Sequence, residues 1–185
     1  MTALFDISDV NKSASAINPD KLAWINQQHL MRLPPARIAA ELRWQFERLG
    51  VAVGEGARLE AVVEAQRERS KTLKDMALAS RFFFEAPTGY EDKAARKHLT
   101  AEALPVLEQS MSALAMLADW KAIPIHEAIQ AQAEAGGLGL GKVAQPIRVA
   151  VSGGGVSPPI DQTLTILGRE QTLQRLERAI AFARR

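Results

Sequence analysis

Between Gly141 and Pro159 the chain reads GKVAQPIRVAVSGGGVSPP, a stretch that gathers cations, glycines and a helix start. Lys142 and Arg148 ride on a predicted helix that runs into Gly153-Gly154-Gly155. Ser157-Pro158 then predicts an N-cap followed by proline at the first helical position. Amides at a new helix start are free to donate, here beside positive charge. Single-stranded RNA suits such a place, because its splayed bases are gripped at their edges while phosphates meet Lys, Arg and helix amino ends. The same residues also make an ordinary helix-loop-helix corner, and residue types alone leave both readings open.

A second group of cations, Arg67, Arg69 and Lys71, follows a helix expected to open with Leu59, Val62, Val63 and Gln66. Positive charge at a helix C-terminus is favoured by the aligned peptide dipoles. A contact with phosphate explains the same cluster equally well. Charge is unevenly placed along the 185 residues, although the formal net charge is only +2. Lys and Arg outnumber Asp and Glu five to two over residues 66–81 and seven to three over 142–185, but are outnumbered four to eight over 82–141. Two basic segments flanking an acidic one fit a surface that faces a polyanion, with the acidic segment expected to form its back.

Several chemistries are excluded. Gly136 to Lys142 matches the first seven positions of a phosphate-loop pattern, but Val143 stands where Ser or Thr must meet magnesium, and the loop follows a predicted helix rather than a strand. His29, His98 and His126 lack ligand spacing or an accompanying acid pair. There is no Gly-x-Ser-x-Gly elbow and no cysteine, so thiol, disulfide and zinc-finger readings fall away. No signal-peptide pattern or bilayer-length apolar run appears, which makes the cytoplasm the expected location.

The elements that must carry these residues are all helical. Asn18-Pro19-Asp20 starts a helix expected to end near Arg32 before Pro34-Pro35, with Leu22, Ile25 and His29 on one face. Ile38, Leu42, Phe46 and Leu49 stripe the next, closed by Gly50. Gly54-Glu55-Gly56 reads as a turn, and Thr72-Leu73-Lys74-Asp75 has capping-box spacing. Phe82-Phe83-Phe84 reads as core, and Ala86 to Tyr90 as a loop. Thr100 is expected to cap a long helix through Leu117, striped by Leu104, Leu107, Met111, Leu114 and Leu117. Pro124 begins a helix closed by Gly136-Gly137, and Gly168 separates the last two. No alternating run suggests a strand, so the expected fold class is all-α. Stacked amphipathic helices of mixed charge also describe a protein-interaction module, which RNA binding and its salt dependence would distinguish.

The motifs Val10 to Ala16, Asn18-Pro19-Asp20-Lys21-Leu22 and Trp24-Ile25-Asn26-Gln27 resemble the stem-contact region of bacterial glutamyl-tRNA synthetases. Arg67 to Leu73, Gly141 to Val151, Val156-Ser157-Pro158 and Leu167-Gly168-Arg169-Glu170 are similar to that family's anticodon-binding part, in the same order. The resemblance covers essentially the whole chain. It implies the carboxy-terminal part of a glutamate-tRNA ligase: residues 1–33 ending a stem-contact domain, then stacked helical subdomains at 34–90 and 91–185. The family's catalytic domain, with its His-Ile-Gly-His and Lys-Met-Ser-Lys-Ser signatures, is absent from this chain. ATP and magnesium are implied for that domain and no cofactor for this one. The implied partner is tRNA(Glu), bound by a monomer, with no DNA and no membrane.

The resemblance also assigns residues. Gln145, Arg148, Ser157, Pro158 and Ile160 match positions around the first anticodon bases. Either Arg67 or Arg69 matches an arginine that inspects a base. Asn11, Lys12, Lys71 and Lys142 are implied as further tRNA contacts. The Ser157 hydroxyl and its backbone are expected to meet a base edge, with Pro158 and Ile160 offering a ring an apolar surface.

Overall fold

A computed structural model of the protein describes residue 16, residues 18–54 and residues 57–185. Asn11, Lys12 and part of the expected Gly54-Glu55-Gly56 turn lie outside the described residues. Among the described residues there are ten α-helices, two short 3-10 turns and no strand, as the all-α reading expects.

Helix α1 (Pro19–Arg32) is set locally: the Asn18 Oδ1 accepts from the amides of Asp20 and Lys21 at 2.9 and 3.2 Å, and proline occupies the first turn. Its expected apolar face is not covered. Leu22 is 53% and Ile25 37% exposed, while Leu30 is buried. The second half of α1 meets the rest of the described chain, where Leu30 enters the core and Asn26 and Gln27 donate to the carbonyls of Lys71 and Glu68. A helical stripe identifies an apolar face, but its burial needs a neighbour.

Helices α2 (Pro35–Arg48), α3 (Ala57–Gln66) and α4 (Leu73–Ser80) enclose one core of Ile38, Leu42, Phe46, Val51, Leu59, Val63 and Met76. Gly50 closes α2 with φ of 70°, and the Thr72 Oγ1 accepts the Asp75 amide at 3.1 Å to open α4. Phe84 meets Phe46 edge to face at a centroid separation of 4.9 Å. Phe82 and Phe83 pack with Val62 and Ile166 in a small cluster of their own.

The second large core lies among α5 (Asp92–His98), α6 (Leu104–Ala115), α7 (Ala122–Ala135), α8 (Leu140–Ser152), α9 (Ile160–Leu167) and α10 (Arg169–Ala183), with Leu107, Leu114, Ile125, Ile147, Leu164 and Leu176 at its centre. Burying each such side chain contributes roughly 1.5–3 kcal/mol. The helix expected from Thr100 is shorter than its stripe. Pro105 has no amide for the carbonyl four residues back, so a 3-10 turn (Ala101–Ala103) leads into α6, and Thr100 makes no side-chain cap.

Arg175 on α10 joins the two halves. Only 3% exposed, it donates from Nη1 to the carbonyls of Phe82 at 2.7 Å and Val151 at 2.6 Å. Burial, then the charges of Arg58 and Arg178, lower its pKa to about 10. Close packing at the same seam explains Gly153. Its φ is 81°, and a Cβ there would stand 2.8 Å from that of Pro87.

Candidate nucleic-acid interface

Helix α8 is two-faced because its sequence is. Val143, Ile147, Val149, Ala150 and Val151 turn into the core, leaving Lys142 exposed and Gln145 and Arg148 half-buried. These three recur every three residues, so they lie along one side of the helix. Pro146, inside the helix, donates no amide toward the Lys142 carbonyl. Gly153 ends α8 in the left-handed region, and the following loop lifts Val156 to 84% exposure.

Beyond that crest the chain turns inward. Ser157 is 8% exposed, and Pro158 and Ile160 are also buried. Ser157 is not an N-cap: α9 begins at Ile160, with Pro159 in the cap position and no side-chain cap bond. The cause is the second proline, which drives Pro158 out of helical geometry and delays the helix start. The Ser157 Oγ instead accepts from the Arg148 Nε at 3.0 Å and donates to the Pro158 carbonyl at 2.9 Å, beside the Thr163 hydroxyl. Its hydroxyl therefore holds Arg148 from beneath, and the expected direct approach of Ser157, Pro158 and Ile160 side chains to a base does not match their burial.

The first cation cluster divides in the same way. Arg67 lies between α1 and α3, donating to the carbonyls of Leu30, Met31 and Leu33 and pairing with Glu64 at 3.1 Å. Those carbonyls belong to a helix C-terminus that has run out of its own amides. Arg69 and Lys71 are exposed. Burial, and after it the charge of Arg69, push the Arg148 guanidinium below its ordinary pKa. Among the described residues no carboxylate forms an ion pair with Arg69, Lys71, Lys142 or Arg148.

Helix α5 packs along α8 and corrects the expectation of an acidic back. Three of the four cations in residues 82–141, Lys93, Arg96 and Lys97, stand on this single helix. Lys97 and His98 lie beside the α8 face, where burial and then the charges of Lys97, Lys142 and Arg148 hold the His98 imidazole below its ordinary pKa. The signal was present in Arg96-Lys97-His98, but averaging across a long acidic segment hid it. No helix among the described residues is long and apolar enough to cross a membrane.

Residues 37–180 match the family model described as an anticodon binding domain. The chain is 52% identical over 180 residues to glutamate–tRNA ligase 1 of Alkalilimnicola ehrlichii, and 50% identical over 181 residues to glutamate–tRNA ligase 2 of Halorhodospira halophila. The matches cover 97% and 98% of this chain but 38% of each relative, so it spans under two fifths of their length. It also superposes on the crystal structure of a glutamate tRNA ligase from Elizabethkingia meningosepticum with a TM-score of 0.86, at 30% identity, over 96% of this chain and 35% of that one.

Proposed function

Because the chain belongs to the anticodon-binding-domain family of glutamate–tRNA ligases, we propose that it recognises the anticodon arm of tRNA(Glu) on behalf of a ligase domain lying outside these 185 residues. That domain would join glutamate to tRNA with ATP and magnesium, and this polypeptide alone would not. The observation that carries the reading is Arg148, fixed at Nε by Ser157 and, like the exposed Arg69, without an ion-paired carboxylate among the described residues. Cations left without ion-paired carboxylates in this way favour an anion.

In this reading Arg69 and Arg148 meet anticodon phosphates or base edges, and Gln145 both donates to and accepts from a base. Lys71 and Lys142 neutralise phosphate, and Asn11 and Lys12 are further tRNA contacts. Arg67, Ser157, Pro158 and Ile160 act from below, the first anchoring α1 and the others shaping the floor beneath Arg148. The chain works as a cytoplasmic monomer, with stem-contact residues 1–33 preceding helical subdomains at 34–90 and 91–185. Binding of anticodon hairpins that differ only in the anticodon tests the proposal. The cognate hairpin should bind more tightly, with affinity falling as salt rises. Unchanged binding by the Arg69→Ala and Arg148→Ala proteins at low salt would remove the assigned face.

A further inference from the structure

Two clefts flank the end of α5. One, of about 320 Å³, has Lys93, Lys97 and His98 on one side and Gln145, Gly155 and Val156 on the other. The second, of about 390 Å³, lies beyond Lys97 and His98 and reaches Leu138, Gly141, Lys142 and Pro146. Lys97 and His98 line both, so they form the wall between them. Each volume falls at the small end of the ~300–1,000 Å³ that buries a small ligand.

Resting on the RNA reading above, we propose that this wall grips one backbone phosphate of the anticodon strand, with the two nucleosides it links seated in the clefts on either side. A phosphodiester is the group that lies between two bases, and a cationic partition between two nucleoside-sized hollows is its complement. Gln145 borders the first cleft and can read a base edge there, as Val156 can support its ring. In the second cleft Lys142 adds charge while Leu138 and Pro146 supply apolar surface.

The charges around His98 favour the same occupant. Burial first, and then the charges of Lys97 from α5 and Lys142 and Arg148 from α8, oppose its protonation, and Lys93 adds to the first cleft. Glu91 and Glu102 also line the clefts, one in each, yet neither forms an ion pair with these cations among the described residues. A phosphate on the wall would offset the repulsion and favour imidazolium. RNA binding therefore takes up a proton at His98. The sign follows: the imidazole is held below its ordinary pKa in the free protein and rises in the complex, so affinity strengthens as pH falls through the complex value and levels off below the free one.

The test uses the 185-residue chain, a fluorescent tRNA(Glu) anticodon hairpin, and Lys97→Met, His98→Asn and Arg148→Ala variants whose helicity matches the parent. Lys97→Met should weaken binding about tenfold, as for a lost charged hydrogen bond, and reduce the salt slope by about 0.7, the single-strand value per phosphate. His98→Asn should abolish the strengthening at acidic pH. If both bind with the parent's affinity, salt slope and pH profile while Arg148→Ala is impaired, the wall is not a phosphate site and the anticodon reading stands. If all three match the parent, the anticodon reading itself falls. In NMR the His98 ring signal should move with the hairpin and stay put in equimolar inorganic phosphate. An equal shift with inorganic phosphate would overturn the two-cleft arrangement in favour of simple anion binding.

Discussion

Arg67 and Arg148 bring the same guanidinium to two differently furnished regions. Around Arg67 three carbonyls at the end of α1 lack helical partners, and the side chain is drawn in to satisfy them. Around Arg148, among the described residues, Ser157 takes the Nε and no carboxylate forms an ion pair with the guanidinium. The first arginine completes a fold, and the second is held ready for something outside it. Whether a basic residue near a helix is mortar or reader thus depends on how many unsatisfied acceptors the tertiary structure places within its reach.

The comparison makes Arg175 the extreme of the first kind, and removing it should have the largest effect. Arg175→Met keeps the packing but strips the buried carbonyls of Phe82 and Val151 of a donor. At ~1–3 kcal/mol for each unsatisfied group, urea unfolding should show a loss of about 2–4 kcal/mol. A loss below ~1 kcal/mol would mean that water replaces the guanidinium and that the two halves do not depend on it.

Arg67→Ala should cost about 2–3 kcal/mol in the same measurement, since its acceptors lie nearer the surface. RNA affinity at a temperature where the protein stays folded should change much less. A large affinity loss without a stability loss would reverse the contrast with Arg148. The Arg148→Ala substitution should do the opposite, weakening anticodon hairpins about tenfold while leaving stability within ~1 kcal/mol. The smallest effect is expected of Ser157→Ala, which removes the acceptor at Nε but no proposed RNA contact. We expect a few-fold loss of discrimination between cognate and altered anticodons, about 0.5–1.5 kcal/mol, with the salt slope unchanged. A lowered slope would show that Ser157 touches phosphate itself.

Much of the scaffold was legible in local chemistry. Asn18, Thr72, Gly50 and Gly168 bound helices where capping rules put them, because a cap is decided by residues within one turn. Two local rules competed at Ser157, and the prohibition before a proline defeated the preference for a serine cap. Similarly, Pro105 overrode the helix start expected at Thr100.

The site was harder to read because its parts are far apart in the chain. The basic segments at 66–81 and 142–185 were visible from composition, and Arg148 and Gln145 lie where those segments turn outward. Lys97 and His98 were assigned to the back, since segment averages ignore which helix a charge rides on. By itself the sequence determined the helices, most of their ends and the pool of cations, all of which follow from interactions spanning a few residues. Only the tertiary structure decided that Arg67 turns inward while Arg69 stays exposed, that Ser157 lies beneath rather than beside the site, and that α5 joins the basic face. Each of those outcomes depends on acceptors and charges brought together by packing between distant helices.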